Sequence, residues 1–245
     1  MADDVIIAPG PLRVAAIGDV HASPNQRGQW RDAFAEVGHS ADVLCLCGDL
    51  TNIGTAAEAE ALAEDLRGIA IPVLAVLGNH DHQCDKPEEI EKVLRDAGVK
   101  FLENETHVVK GVGFAGVKGF GGGFDGKMLD AFGESAIKQF VQEAIDESLR
   151  LEHALKQLET ERKVVVLHYA PICETVVGEP EAIFPFLGSS RLAETIDRFD
   201  GVKAVFHGHA HRGTYAGHTR AGNPVFNVAA HIEKPTGKPY ALVEV

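Results

Sequence analysis

Cysteine is scarce in this 245-residue chain, with residues at positions 45, 47, 84 and 173 only. Four unevenly spaced thiols in so long a chain do not make a disulfide framework. They do not make a zinc knuckle either, because Cys45 and Cys47 have no second pair at finger spacing. On a strand their two-residue spacing points both to one face, where they serve as small core hydrophobes. Long apolar runs are also missing: no stretch approaches the ~20 residues that a membrane span needs. The opening residues, Met1 to Pro11, lack the basic start and cleavage signal of an export peptide. The expectation is therefore a cytoplasmic protein with no membrane partner. The third shortage is basic charge. Lys and Arg number 23 against 36 Asp and Glu, for a net charge of −13 and a pI near 5.3. No broad basic footprint of the nucleic-acid-binding kind can be drawn from that balance. Small anionic substrates stay open, because bound divalent metals reverse the local field.

What is present fits a globular domain: 45% apolar and 24% charged residues, over a length sufficient for a sizeable core. One domain over residues 1–245 is expected. Strand–helix alternation is plain in the first hundred residues. Leu12 to Ile17, Asp42 to Cys47 and Pro72 to Val76 are apolar, partly β-branched runs that read as buried parallel strands. Between and after them come helices over about 25–38, from Thr55 to about Arg67 behind a Thr55-x-x-Glu58 capping box, and from Pro87 to a stop at Gly98. From residue 99 the texture turns β-rich, with short strands at 99–101, 107–109 and 112–115. Further strands are expected at 163–167, 202–206, 213–216, 224–229 and 240–245. The fold class read from this is α/β, with a second sheet packed on the first.

Two segments stand apart. Gly119 to Gly126 is glycine-rich without a P-loop lysine pattern, and a flexible lid is the expectation. Residues ~134–160 read as one long helix with Ile137, Phe140, Val141, Ile145, Leu149, Leu155 and Leu158 on a broad apolar face. Glu143, Glu147 and Glu152 are read as its solvated side. This helix has three open roles: capping a pocket, supplying the contact of a homo-oligomer, or packing on the sheet and nothing more.

The informative pattern lies at the strand ends. Asn79 and His80, in the run Gly78-Asn79-His80-Asp81-His82, follow the third strand. Asp19 and His21 follow the first, Asp49 the second, His168 the strand ending at Leu167, and His209 and His211 the strand ending at Phe206. One strand-terminal histidine is ordinary. Eight metal-capable side chains on parallel strand ends converge in space, where open α/β sheets place their ligands. Glycines 18, 48, 78 and 208 sit beside them, so the backbone can turn away and bring side chains to a common centre. Carboxylate, imidazole and amide oxygen without thiolate suit Mn²⁺, Fe, Zn²⁺ or Co²⁺. The donors are too many for one ion; two divalent metal ions sharing a carboxylate fit better.

Asp19-Val20-His21, Gly48-Asp49, Gly78-Asn79-His80-Asp81, His168 and Gly208-His209-Ala210-His211 resemble, in order, the five signature blocks of the calcineurin-like metallophosphoesterase superfamily. The resemblance spans residues ~12 to 211. It implies a four-layer α/β/β/α sandwich of two packed mixed sheets flanked by helices. It also implies that Asp19, His21 and His211 hold one metal, that Asn79, His168 and His209 hold the other, and that Asp49 bridges them. His80 would contact the substrate phosphate beside Asn79 and assist the leaving oxygen, with Asp81 orienting its imidazole. The implied chemistry is attack on phosphorus by a metal-activated hydroxide. Retention of His80 favours a small phosphodiester over a monoester. A nuclease, or a non-catalytic protein scaffold on the same fold, are the alternatives.

Other polar residues carry weaker signals. Arg212 is a candidate partner for a phosphate oxygen or for a structural salt bridge. Lys118 and Lys127 flank the glycine-rich stretch and could help hold an anion. His82 and Cys84 line the pocket or face solvent. His39, His107, His153, His218 and His231 match no block and are read as surface or packing residues.

Overall fold

The strand that leads into the first signature block is β1 (Arg13–Ile17), buried along all but its first residue. In the computed structural model, which describes residues 10–245, β1 joins a five-stranded sheet. Residues 1–9, and with them most of the stretch read for an export signal, lie outside the described residues. The apolar runs read as strands become β2 (Val43–Cys47) and β3 (Val73–Val76), both fully buried. The short β4 (Lys100–Phe101) follows. These four run parallel, and β11 (Ala241–Glu244) closes the other edge antiparallel to β1. The second sheet is built from β5 (His107–Val109), β6 (Val112–Val117), β7 (Arg162–Leu167), β8 (Val202–His207), β9 (Ala216–His218) and β10 (Pro224–Asn227). Its order is β5-β6-β7-β8-β10-β9, with only the two edge strands antiparallel.

Strand alternation sorts the core into layers. Val14, Ala16, Cys45, Cys47, Leu74 and Val76 point inward and meet Phe114, Val164, Val166 and Phe206 of the second sheet. Cys45 and Cys47 thus share one face, fully buried between the sheets. The opposite side chains of the first sheet, among them Ala15, Ile17, Leu44 and Leu46, pack under α1 (Arg31–Ser40), α2 (Ala56–Asp65) and α3 (Pro87–Asp96). The outer face of the second sheet carries α4 (Ser135–Lys156) and α6 (Ser190–Ile196), through Leu151, Leu155, Leu192 and Ile196. A four-residue turn of helix, α5 (Phe184–Leu187), precedes α6. The result is the expected α/β/β/α sandwich of two mixed sheets. Among the described residues, no helix is long and apolar enough to cross a membrane.

Local physics explains where the elements differ from expectation. The helix expected over 25–38 begins only at Arg31, because Gly28 adopts a left-handed φ of 87°. Asp65 then ties down the free N–H groups of Gly28 and Trp30, at 2.7 and 3.1 Å. The Trp30 indole donates its Nε1–H to the Val20 carbonyl at 2.9 Å, between two candidate metal ligands. In α2 the Thr55–Glu58 capping box is present in both directions. The strand expected at 213–216 starts three residues later, as β9 at Ala216–His218.

The long helix packs on the sheet through a narrower face than its pattern implied. Ile137 and Leu149 are exposed, at 44% and 54%. Glu147, read as solvated, is buried: it pairs with Arg150 and accepts the Gly119 N–H at 2.6 Å. The glycine-rich segment is likewise not an open lid. Gly119 and Gly121 to Phe124 are buried. Main-chain bonds join Gly122 to Pro185 and Gly123 to Gly188, at 2.7 and 2.9 Å. The glycines there serve close packing of backbone on backbone.

Candidate metal centre

Every candidate ligand lies just past the C-terminal end of a strand, on the edge where the two sheets meet. Gly18 forms a parallel bridge with Ala229, which joins the end of β1 to the second sheet. The turns that follow are tight. Asp19, His21, Asp49 and His209 adopt φ values of 58°, 43°, 50° and 70°. Left-handed backbone costs a non-glycine residue about 1–2 kcal/mol. Four such residues gathered at one point mark a place where geometry is held against local preference. Two glycines make the approach possible. A Cβ on Gly78 would overlap the backbone nitrogen and Oδ1 of Asp49, and one on Gly208 would overlap Asp19 Oδ2.

The side chains form two groups with one shared member. Ligand atoms of Asp19, His21, Asp49 and His211 lie within 4.8 Å of one another, as do those of Asp49, His168 and His209. Asn79 joins the second group, its Oδ1 2.9 Å from His168 Nε2. Asp49 stands between them: Oδ1 is 3.3 Å from His168 Nε2, and Oδ2 is 3.8 Å from His21 Nε2. Asp19 is 1% exposed. It accepts the His209 N–H on both oxygens and contacts His211 Nε2 at 2.9 Å.

These donors fit cations. His168 donates Nδ1–H to the Cys47 carbonyl at 3.0 Å, which leaves a lone pair on Nε2. That lone pair meets the lone pairs of Asn79 Oδ1 and Asp49 Oδ1, an arrangement that a positive ion stabilises. His21 Nδ1 is buried without a hydrogen-bond partner. His209 spends Nε2–H on the Phe186 carbonyl at 3.1 Å and keeps Nδ1 for a ligand. Burial pushes His21 down to about 4 and His209 to about 3, and lowers His168. All three are neutral imidazoles at neutral pH, the form that binds metal. Burial also raises the Asp19 carboxyl, but the hydrogen bond and charge of His211 help bring it down to about 2. Burial and the charge of Asp19 push Asp49 up to about 7. Two carboxylates this close are held apart in pKa until a cation offsets their repulsion.

A sequence model of the calcineurin-like phosphoesterases matches residues 12–213. The chain belongs to that family. Members of the calcineurin-like phosphoesterase family are metal-dependent phosphoester hydrolases that typically bind two divalent ions. The two donor groups could hold such a pair, with the identity of the ions undetermined. Solved structures share this phosphoesterase fold at low identity. The phosphopantetheinyl hydrolase PptH from Mycobacterium tuberculosis superposes with a TM-score of 0.66 at 14% identity, over 96% of this chain and 97% of that one. TT1561 of Thermus thermophilus gives 0.57 at 16% identity, over 96% and 99%. GAP50, the anchor in the inner membrane complex of Plasmodium, gives 0.56 at 12% identity, over 90% and 72%. At these identities the likeness concerns the fold alone. No curated protein matches the chain.

Within this phosphoesterase centre His80 lies beside both groups. Its Nδ1 is 2.6 Å from the Asn52 carbonyl, and its Nε2 faces Asp49 Oδ2 at 3.9 Å. Its ring packs on that of His21 with centroids 4.6 Å apart. The expectation that Asp81 orients this imidazole is corrected. Asp81 is fully buried and turns away: Oδ1 accepts from Thr51 N and Oγ1, at 2.8 and 2.6 Å. Its Oδ2 accepts from Leu50 N and Gly78 N, at 3.1 and 2.8 Å. Asp81 therefore fastens the loop after β2 to the turn after β3, and the Asn52 carbonyl holds His80.

Of the weaker candidates, Arg212 is exposed, and its main-chain N–H binds Glu179 at 2.7 Å. Lys118 is drawn inward, its ammonium on the Gly119 carbonyl at 2.9 Å and above the rings of Phe120 and Tyr169. Lys127 lies exposed on a short 3-10 turn, and His82 and Cys84 face solvent. His231 comes closer than expected, with its ring 5.2 Å from that of His211. Sequence reasoning passed over Asn52, which acts through its main chain. It also passed over His207, a fully buried imidazole that bridges Thr175 Oγ1 and the Gly208 carbonyl at 2.8 Å each.

Proposed function

We propose that the chain is a dimetal phosphodiesterase acting on a small soluble phosphoester, with Asp19, His21 and His211 holding one ion, Asn79, His168 and His209 the other, and Asp49 bridging. The observation that carries this reading is the shared position of Asp49 between the two donor groups. Divalent ions at such a pair of sites supply Lewis acidity toward phosphoryl oxygens and toward water. The chain does the rest. Neutral imidazoles and buried carboxylates fix the donor positions, and the left-handed turns keep them there. His80 has one nitrogen committed to the Asn52 carbonyl. Its Nε2, directed at the centre, passes a proton to the leaving alkoxide. The Asp81 carboxylate holds the Asn79–His80 turn in register by accepting the Gly78 N–H.

The preference for diesters rests on His80, because an alkoxide leaving group gains most from a proton donor in reach. The acidic composition supports a small ester over a nucleic acid. The test compares bis-p-nitrophenyl phosphate with p-nitrophenyl phosphate in the presence of Mn²⁺, for the native chain, His80→Ala and Asp49→Ala. Faster turnover of the diester and no activity in Asp49→Ala are expected; His80→Ala should lose at least about a hundredfold on a diester with an alkoxide leaving group and much less on the p-nitrophenyl esters, whose phenolate leaves without a proton. Turnover of the monoester alone overturns the diester preference. Absence of metal-dependent turnover of either ester returns the chain to a scaffold role.

A further inference from the structure

Beside the metal centre lies a cleft of about 760 Å³, between the 123–127 turn and the segment from Cys173 to Pro185. Its volume is in the range that encloses a small organic molecule. Part of its wall is apolar: Phe124, Val177, Phe184 and Pro185 line it, and the two phenyl rings stand edge to face at 6.4 Å. Two hydrogen bonds lead from the cleft's rim toward the centre. Phe186, next to Pro185, accepts the His209 Nε2–H through its carbonyl at 3.1 Å. Glu179, earlier in the same segment, accepts the N–H of Arg212, the residue after His211, at 2.7 Å.

Two further observations set the chemistry of an occupant. Val177 and Phe186 are large hydrophobic residues left 55% and 58% exposed, on the wall and beside it. Grouped exposed apolar surface next to a reaction centre marks a binding surface. The charged residues that also line the cleft are mostly acidic: Asp125, Glu179 and Glu181 against Lys127. Asp125 is already paired with Arg220 at 2.8 Å. A second anionic group is unwelcome there, and an uncharged one is not.

We propose that this cleft seats an uncharged apolar group, an alkyl chain or an aryl ring, esterified to the phosphate that the metal centre hydrolyses. The assignment rests on the phosphodiesterase reading above and adds the substrate class. It concerns the loop between β6 and α4 and the loops between β7 and α6, outside the five signature blocks.

The test uses p-nitrophenyl phosphodiesters whose second ester group is methyl, hexyl, phenyl, or a hexyl-length chain ending in a carboxylate, with Mn²⁺ present. The hexyl or phenyl ester is expected to exceed the methyl ester in kcat/KM by about tenfold or more. The carboxylate chain falls back to the methyl value. Which of hexyl and phenyl gains more tells chain from ring. Val177→Asp, at an exposed position that tolerates charge, brings the ratio of hexyl to methyl toward one and leaves the methyl ester unchanged. A second readout needs no turnover. In a Cys84→Ser background, hexylphosphonate or phenylphosphonate slows alkylation of Cys173, which lines the cleft, and methylphosphonate does not. Equal turnover of the methyl, hexyl and phenyl esters, or unaltered Cys173 alkylation with both apolar phosphonates, overturns the assignment. If no ester is hydrolysed, the phosphodiesterase reading fails by itself, and Cys173 protection alone then decides whether the cleft takes an apolar group.

Discussion

Replacing Asp81 by asparagine separates a structural carboxylate from one that tunes His80. The wild-type side chain accepts four hydrogen bonds, two on each oxygen. An amide can serve only one of those pairs as acceptor. With its NH₂ toward Leu50 and Gly78 it faces two main-chain donors. With its NH₂ toward Thr51 the hydroxyl reverses and accepts, and only the Thr51 N–H is stranded. The second arrangement is the cheaper. One buried, unpaired main-chain N–H costs about 1–3 kcal/mol. Part of that is offset, because burial pushes the Asp81 carboxyl up to about 6 and a neutral amide avoids that desolvation. A net loss of about 1 kcal/mol is expected, a fall of roughly 2–4 °C in Tm for a chain of this size. Thermal melts of metal-free and metal-loaded protein measure it. The activity of Asp81→Asn should drop at every pH with the shape of the kcat/KM profile kept, because the Asn52 carbonyl still holds His80. An unchanged Tm with a displaced pH profile would refute this reasoning and return Asp81 to the role of orienting His80.

Two other perturbations test separate parts of the account. Gly78→Ala drives a methyl group into the backbone nitrogen and Oδ1 of Asp49, and no side-chain rotation relieves a clash with backbone. Destabilisation of about 1–3 kcal/mol and fewer than two metal ions per chain are expected by melting and elemental analysis; full metal content would show that the close approach is not needed. Glu103 tests burial: its carboxylate accepts the Leu77 N–H at 2.6 Å on one oxygen, the other is buried without a partner, and burial pushes the group up to about 8. The folded chain then keeps a proton that the unfolded chain releases near 4.5. Stability from this group is complete below that value and declines as pH rises through 8. Glu103→Gln, a mimic of the protonated form, should gain about 2 kcal/mol on the native chain between pH 6 and 9; urea midpoints that stay parallel across that range would contradict it.

Much of this architecture is legible in the chain because the central strands are continuous apolar runs that stop at polar residues, most of them beside a glycine. Such runs fix both the parallel sheet and the edge where the polar side chains gather, so the convergence of Asp19, Asp49, His168 and His211 follows from strand ends alone. The helix at 184–196 escaped notice because Pro185 and Gly188 interrupt it and leave too few turns for a period to show. The burial of Glu147 depends on the Gly119 N–H from another element, which no helical pattern reports. The role of Asp81 is hidden from the sequence for the same reason. Its partners Leu50 and Thr51 are thirty residues away, and only the folded loops show that Asn52 reaches His80 instead.

The chain has a single tryptophan, and Trp30 is hydrogen-bonded to the carbonyl of Val20, the residue between Asp19 and His21. Any rearrangement of that loop alters the surroundings of the one indole whose emission dominates the fluorescence of the whole molecule. Ion uptake and release can therefore be followed in real time on the unlabelled protein, with Trp30 as an intrinsic optical reporter of site occupancy.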